Sequence, residues 1–244
     1  NLGQLSPLSP FQPFGPLPEV GSYFIVGHEE TRSKALVDWN LDIEWAGLPQ
    51  LSTGFKHWYK GYSQPRENTQ FTVGVSVLRN GSWKSTNQVG LFEEHVRNGS
   101  VHLKQRNLLS AASAIPYATP QPVSADQKPF NYSPQTRNGL FKFTLQGPAG
   151  AFGHREYPNL LAEVLTHNAR IKNPNSARAI PNSPYTPEIN SISLNYTAQS
   201  VIALADTSRD QNIRYEDQYF HLHPLGWELV SPLRHPRLYL LPQY

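Results

Sequence analysis

The sequence predicts a mainly β fold: antiparallel sheets in sandwich-like modules, with hairpins, one short helix and long proline-rich loops. Three observations carry that expectation. The 244 residues include 22 prolines and 16 glycines, too many backbone punctuators for a protein of long helices. Several segments alternate apolar and polar residues with the period of two that a half-buried strand needs. Three Asn-Gly pairs stand in the middle of the chain, and both residues tolerate the positive φ of a type I′ hairpin turn.

Composition narrows the class further. Aromatic residues make up 11% of the chain and charged residues only 16%, the reverse of a disordered segment. No window approaches the apolar length of a membrane span. Cysteine is absent, which excludes disulfides and thiolate metal sites. The formal charge of +3 is spread thinly, without the concentrated basic face that nucleic-acid binding requires. Methionine is also absent and the chain starts at Asn1, so something is expected to have preceded it, either a removed leader or more protein.

Residues 1–19 form a proline-punctuated, extended lead-in. Ser22–Val26 reads as a short strand closed by Gly27. From Ala35 to Trp45, Val37, Trp39, Leu41, Ile43 and Trp45 share one face, with Asp38, Asn40, Asp42 and Glu44 on the other. Phe71, Val73, Val75 and Val77 repeat the pattern. Asn80-Gly81 joins that strand to Ser82–Lys84, and Asn98-Gly99 joins Leu91–Arg97 to Val101–Lys104. Asn138-Gly139 precedes a strand at Leu140–Leu145. Between them, Ala111–Gln135 is a long loop with five prolines.

The one expected helix starts near Pro158, which suits a first turn, and ends by Arg170 before Asn173-Pro174. Leu160, Leu161, Val164 and Leu165 give it an apolar stripe, with Leu161 and Leu165 expected against a sheet. Further strands are expected at Ile189–Tyr196, Ser200–Leu204, Tyr215–His223, Trp227–Val230 and Leu238–Leu241. The implied organisation is a lead-in at 1–19, a β-rich module ending in a helix at 20–172, a proline-rich linker at 173–187, and a second, incomplete β module at 188–244.

Chemistry-bearing motifs are sparse. His221 and His223 project to one face of a strand, with His235, Glu216 or Glu228 as possible third ligands. Zinc catalysis needs three protein ligands and an open position, and only two stand at a defined spacing, so no metal is expected. His28-Glu29-Glu30 opens like a zincin motif, but Arg32 occupies the place where the second histidine belongs. Gly147, Gly150 and Gly153 space a permissive loop before the helix. It is followed by His154 and Arg155 where a P-loop has Lys and Ser/Thr, so a strand-to-helix connector is expected there rather than an anion site. Asp42 and Glu44 fit a solvent face. Asn80, Asn98, Asn131 and Asn195 head Asn-x-Ser/Thr sequons, two of which turn chemistry already explains. No catalytic, cofactor or metal residue is assigned, and the chain is not read as an enzyme.

An ordered string of motifs goes further. Phe11-Gln-Pro-Phe-Gly-Pro16, Val20-Gly-Ser-Tyr-Phe-Ile-Val-Gly27 and Leu41-Asp-Ile-Glu-Trp45 resemble the baseplate J-like wedge proteins of phage-tail-like contractile injection systems. The likeness continues at Trp58-Tyr-Lys-Gly-Tyr62, Phe71-Thr-Val-Gly-Val75, Phe143–Pro148, Phe152-Gly-His154 and Tyr157-Pro158. It returns at Pro184-Tyr-Thr-Pro187, Ile192-Ser-Leu-Asn-Tyr196, Phe220-His-Leu-His-Pro224 and Leu240-Leu-Pro-Gln-Tyr244, so it spans nearly the whole chain in order. The resemblance implies an internal fragment of a non-enzymatic wedge subunit that assembles six-fold around a hub and spike and couples to sheath contraction. The implied partners are other wedge subunits, hub, spike and sheath. Nucleic acid, cofactor and membrane span have no part in it. The implied site is a particle assembled in the bacterial cytoplasm and then released. Phe11, Phe14, Leu17, Trp58, Tyr59 and Tyr62 are the expected interface residues, the first three docking in extended form on a neighbouring surface.

Two other classes fit the composition. One is a secreted β-sandwich that binds glycans through Trp39, Trp45, Trp58 or Trp83, for which the aromatics should converge on one exposed groove. The other is a metal-dependent β-rich enzyme. A wedge should instead divide its aromatics between the core and several separate patches.

Overall fold

The computed structural model describes residues 9–27, 31, 35–50, 52–110, 136–199, 219–223 and 226–230. The described chain is mainly antiparallel β, as the alternation predicts. The first sheet has the order β1-β8-β3-β4, formed by Tyr23–Gly27, Leu140–Gly147, Thr72–Arg79 and Ser82–Gly90. The second has the order β7-β2-β9, formed by Arg106–Ser110, Ala35–Ala46 and Glu188–Gln199. Two hairpins stand as separate two-stranded sheets: β5 (Glu94–Arg97) with β6 (Ser100–Leu103), and β10 (Tyr219–His223) with β11 (Gly226–Val230).

The two larger sheets pack face to face. Trp39 of β2 lies 4.7 Å from Phe141 and 6.4 Å from Phe143 of β8, centroid to centroid. Trp39, Leu41, Ile43 and Trp45 are all buried, as the alternation requires. Val37 departs from it. A register shift between Leu36 and Asp38 makes Val37 the extra residue of a bulge, which sends the side chains before it to the opposite face. Leu36 is therefore fully buried and Val37 is 53% exposed.

Asn80-Gly81 and Asn98-Gly99 make the expected tips, with φ of 52° and 78° in the first and 51° and 75° in the second. Asn138-Gly139 makes no hairpin. Instead the Asn138 side chain accepts the Asn80 N–H at 2.7 Å, tying the start of β8 to the first tip. β4 runs to Gly90 rather than stopping at Lys84, and β7 has no counterpart in the sequence reading.

The long helix covers Tyr157–Arg170 with Pro158 in its first turn. Its inward residues are Val164, which is buried, and Leu160, which packs against the core. Leu161 and Leu165, expected to face the sheet, lie one position further round, and Leu165 is 48% exposed. A second helix of one turn, Phe55–Trp58, went unread because four residues are too few to show a helical period.

A second module beginning at residue 188 is not what β9 forms. β9 pairs with β2 from Ala35↔Gln199 to Ala46↔Glu188, completing a sheet of the first module. The preceding 173–187 segment is also held against that module, with Tyr185 buried. Sequence pattern marks strands but not which earlier strand a late one joins. Ala111–Gln135, Ser200–Leu204, Leu238–Leu241, His28–Glu30 and Asn131 lie outside the described residues. So do Glu216, His235 and the side chains of His221, His223 and Glu228.

Candidate functional site

Five of the six expected interface residues are engaged by the chain itself. Phe11 forms an antiparallel bridge with Ile189 of β9 through reciprocal N–H···O bonds of 3.1 and 2.8 Å. Phe14 is buried, its ring 5.5 Å edge-on to Phe24, which stacks on Phe143 at 4.9 Å. The lead-in thus docks on its own sheet, and it does not stay extended. After the Phe11 bridge it turns over residues 12–15, where the Gly15 N–H donates to the Gln12 carbonyl at 3.1 Å and Gly15 takes a φ of 78°. β9 pairs with β2 along one edge, and at Ile189 its other edge offers the backbone groups that Phe11 takes up. Leu17 alone of the six stays open, at 65% exposure.

Trp58, Tyr59 and Tyr62 close on the 182–185 segment. Trp58 Nε1 donates to the Ser183 carbonyl at 2.9 Å, and Asn182 Nδ2 donates back to the Trp58 carbonyl at 2.9 Å. Tyr62 donates its hydroxyl to the Asn182 carbonyl at 2.7 Å, while the Tyr185 N–H donates to the Tyr59 hydroxyl at 3.1 Å. Tyr185 in turn donates to the Ala46 carbonyl at 2.8 Å. Tyr59 and Tyr62 are buried and Trp58 is half-buried. A proline-rich strand-like segment held by aromatics resembles a peptide in a recognition groove, here supplied by the same chain.

Arg66 sits beneath this clamp. Its side chain is 1% exposed, and its guanidinium carbon lies 5.2 Å from the ring centroids of both Tyr59 and Tyr62. Nε donates to the Ala151 carbonyl at 2.9 Å, and Nη1 donates to Glu156 Oε1 at 3.1 Å and the Gln64 carbonyl at 3.3 Å. The glycine loop before the long helix is shaped around it. Gly153 has φ of 84°, and a Cβ there would meet Tyr62 Cε1 at 2.8 Å and Arg66 Nη2 at 3.2 Å. The loop is therefore a connector that receives an arginine. Burial pushes the phenols of Tyr59, Tyr62 and Tyr185 above the ordinary tyrosine range, so these hydroxyls remain neutral hydrogen-bonding groups.

Arg79 is buried and His154 half-buried, neither with catalytic company. Burial pushes the Arg79 guanidinium down to about 10, and its Nη1 donates to the Thr31 carbonyl at 2.9 Å. Burial also lowers the His154 imidazole, whose Nε2 is 2.9 Å from Thr186 Oγ1. Among the described residues no three His, Asp or Glu side chains converge as a metal site. Nor is any helix there long and apolar enough to cross a membrane.

Arginine is the functional residue type that sequence reasoning passed over, since Arg is mostly exposed unless paired. The available signal was its place between an aromatic run, Trp58–Tyr62, and an acidic residue at a helix start. The exposed apolar side chains are dispersed: Leu17 and Val20 by the lead-in, Val96 on a hairpin, Leu108 on β7, Leu165 on the helix. Tyr23 and Trp83 flank Lys142 on the outer face of the first sheet, with Nζ 5.7 and 4.6 Å from their rings. The tryptophans whose side chains are described divide likewise: Trp39 and Trp45 are in the core, Trp58 is in the clamp and Trp83 is on a sheet face.

These features define a mainly antiparallel β protein whose described proline-rich segments, at 9–19 and 173–187, are held against its own surface. No family model matches the chain, and no curated protein matches it.

Proposed function

We propose that this chain is a structural module of a large assembly, specifically a baseplate wedge component of a phage-tail-like contractile injection particle. The dispersal of the tryptophans and exposed apolar residues over separate elements, among the described residues, is the observation that carries the reading. A glycan-binding groove needs aromatics converging at one exposed place, whereas a subunit with several neighbours needs several modest patches. The ordered resemblance of its motifs to wedge proteins supplies the finer identity. On this reading the chain works by packing rather than catalysis. Its neighbours are other wedge subunits, the hub and spike, and the sheath, in a particle built in the bacterial cytoplasm and later released. Leu17, Val20, Val96 and Leu108 replace the clamp aromatics as the side chains that face those neighbours.

The test is to purify contractile particles from the source cells and locate the chain by electron microscopy. Six-fold density at the baseplate accounted for by these sheets is expected. Particles that lack the chain would overturn the reading. Binding to a glycan that Trp83→Ala abolishes would replace it with the lectin reading, which the exposed Tyr23–Lys142–Trp83 group favours.

A further inference from the structure

We propose that His95 and His102 form a two-imidazole site for a borderline divalent transition metal, with zinc as the simplest occupant. The pair plays no part in the wedge reading and rests on the β5–β6 hairpin alone. His95 and His102 are directly opposed in the antiparallel register, between Glu94↔Leu103 and Val96↔Val101. Directly opposed residues share one face of a hairpin. Their ring centroids are 5.7 Å apart with planes inclined at 33°. A zinc ion held at about 2.1 Å by one nitrogen of each ring places the centroids roughly 5 to 6 Å apart, so the observed spacing already suits one shared ion. His95 is exposed and His102 half-buried, which leaves the pair open to solvent ions.

The hairpin holds this spacing before any metal arrives. At its tip, Asn98 and Gly99 set the turn with positive φ. At its base, Leu103 is buried, Lys104 N–H donates to the Glu93 carbonyl at 2.9 Å, and Thr53 N–H donates to the Val101 carbonyl at 2.7 Å. Preorganised donors lose less freedom on binding.

The nearby carboxylates are already engaged. Glu93 accepts from Lys104 Nζ at 2.7 Å and from the Leu108 N–H at 3.0 Å. Glu94 accepts from Asn68 Nδ2 at 2.8 Å. The protein thus offers two nitrogen ligands, and water completes the coordination. The ligand set favours zinc, copper or nickel over calcium or magnesium, which prefer oxygen.

The experiment titrates zinc into the full chain while recording calorimetry, imidazole ring proton resonances and amide exchange. One zinc should shift the His95 and His102 ring signals and slow amide exchange across β5 and β6. His95→Gln or His102→Gln should weaken that binding by about ten-fold or more, because each removes the chelate partner of the other. His223→Gln, on the separate β10 strand, should leave it intact. Chelation with EDTA should restore the original exchange rates. The proposal is overturned by unchanged zinc affinity in either hairpin variant. It is equally overturned if His223→Gln removes the binding, or if those ring signals stay unshifted at millimolar zinc.

Discussion

The β3–β4 and β5–β6 hairpins share the same Asn-Gly tip and nearly the same turn angles, yet they occupy opposite situations. β3 is paired on both sides, by β4 and β8, and nearly all of it is buried. Its tip is tied down by Asn138 and by the Gly81 N–H donating to the Arg137 carbonyl at 2.9 Å. β5 and β6 pair only with each other among the described strands, and every residue of β5 is exposed. Turn chemistry is local, so it produces both tips. What surrounds a hairpin decides whether it becomes core or a projection available to ions and neighbours.

The largest expected effect separates the two by burial. Phe143→Ala, on the strand flanking β3, should cost about 3 to 5 kcal/mol of unfolding free energy. Val96→Ala, at 72% exposure on β5, should stay within about 0.5 kcal/mol. Denaturant melts of both variants measure the contrast, and equal losses would break it.

Polar anchoring should follow the same ordering. Arg66→Ala removes a buried guanidinium with three hydrogen bonds and should cost about 2 to 3 kcal/mol, since the half-exposed Glu156 regains water. Arg106→Ala loses only its ion pair with Asp42 across the open face of β2 and β7, with a side chain 68% exposed. Its thermal midpoint should be unchanged.

A smaller effect sharpens the comparison at the tips. Gly81→Ala and Gly99→Ala each place a β-carbon at positive φ, a strain of about 1 kcal/mol in either turn. The first should appear as lost global stability. The second should appear only as faster amide exchange within β5 and β6.

The smallest effect is a pH response at the base of the exposed hairpin. Burial alone would raise the Glu93 carboxyl. Hydrogen bonds from Lys104 and the Leu108 N–H, with the Lys104 charge, outweigh it and hold the group below its ordinary range. A depressed folded value means the unfolded chain takes up the proton first. The contribution is therefore complete above the unfolded value near about pH 4.3 and is lost as pH falls through the folded one. Exchange of the Leu108 amide should accelerate over that acid window and not in Glu93→Gln.

Much of this was legible beforehand because its causes are local. Trp39, Leu41, Ile43 and Trp45 announce their buried face by alternation, and Pro158 announces a helix start. The candidate interface was legible only as a set of conspicuous residues. Phe14, Tyr59 and Tyr62 have the size and polarity of anchors, but nothing in their spacing says whether the bound segment is foreign or is residues 182–185 of the same chain. Arg66 was unreadable for a related reason: its partners at Gln64, Ala151 and Glu156 meet only after the glycine loop folds back.

The amino-acid order by itself determined the β class, both Asn-Gly tips and the long helix, because these depend on φ preferences and side-chain period within a few residues. Tertiary structure alone decided that β9 completes the sheet of β2, that Val37 bulges outward, that the lead-in docks on Ile189, and that His95 faces His102 beside carboxylates already engaged. Each of these is a competition among distant surfaces for the same apolar area and the same backbone hydrogen bonds. Such a competition is settled by total burial and by satisfied donors, which no short window of sequence contains.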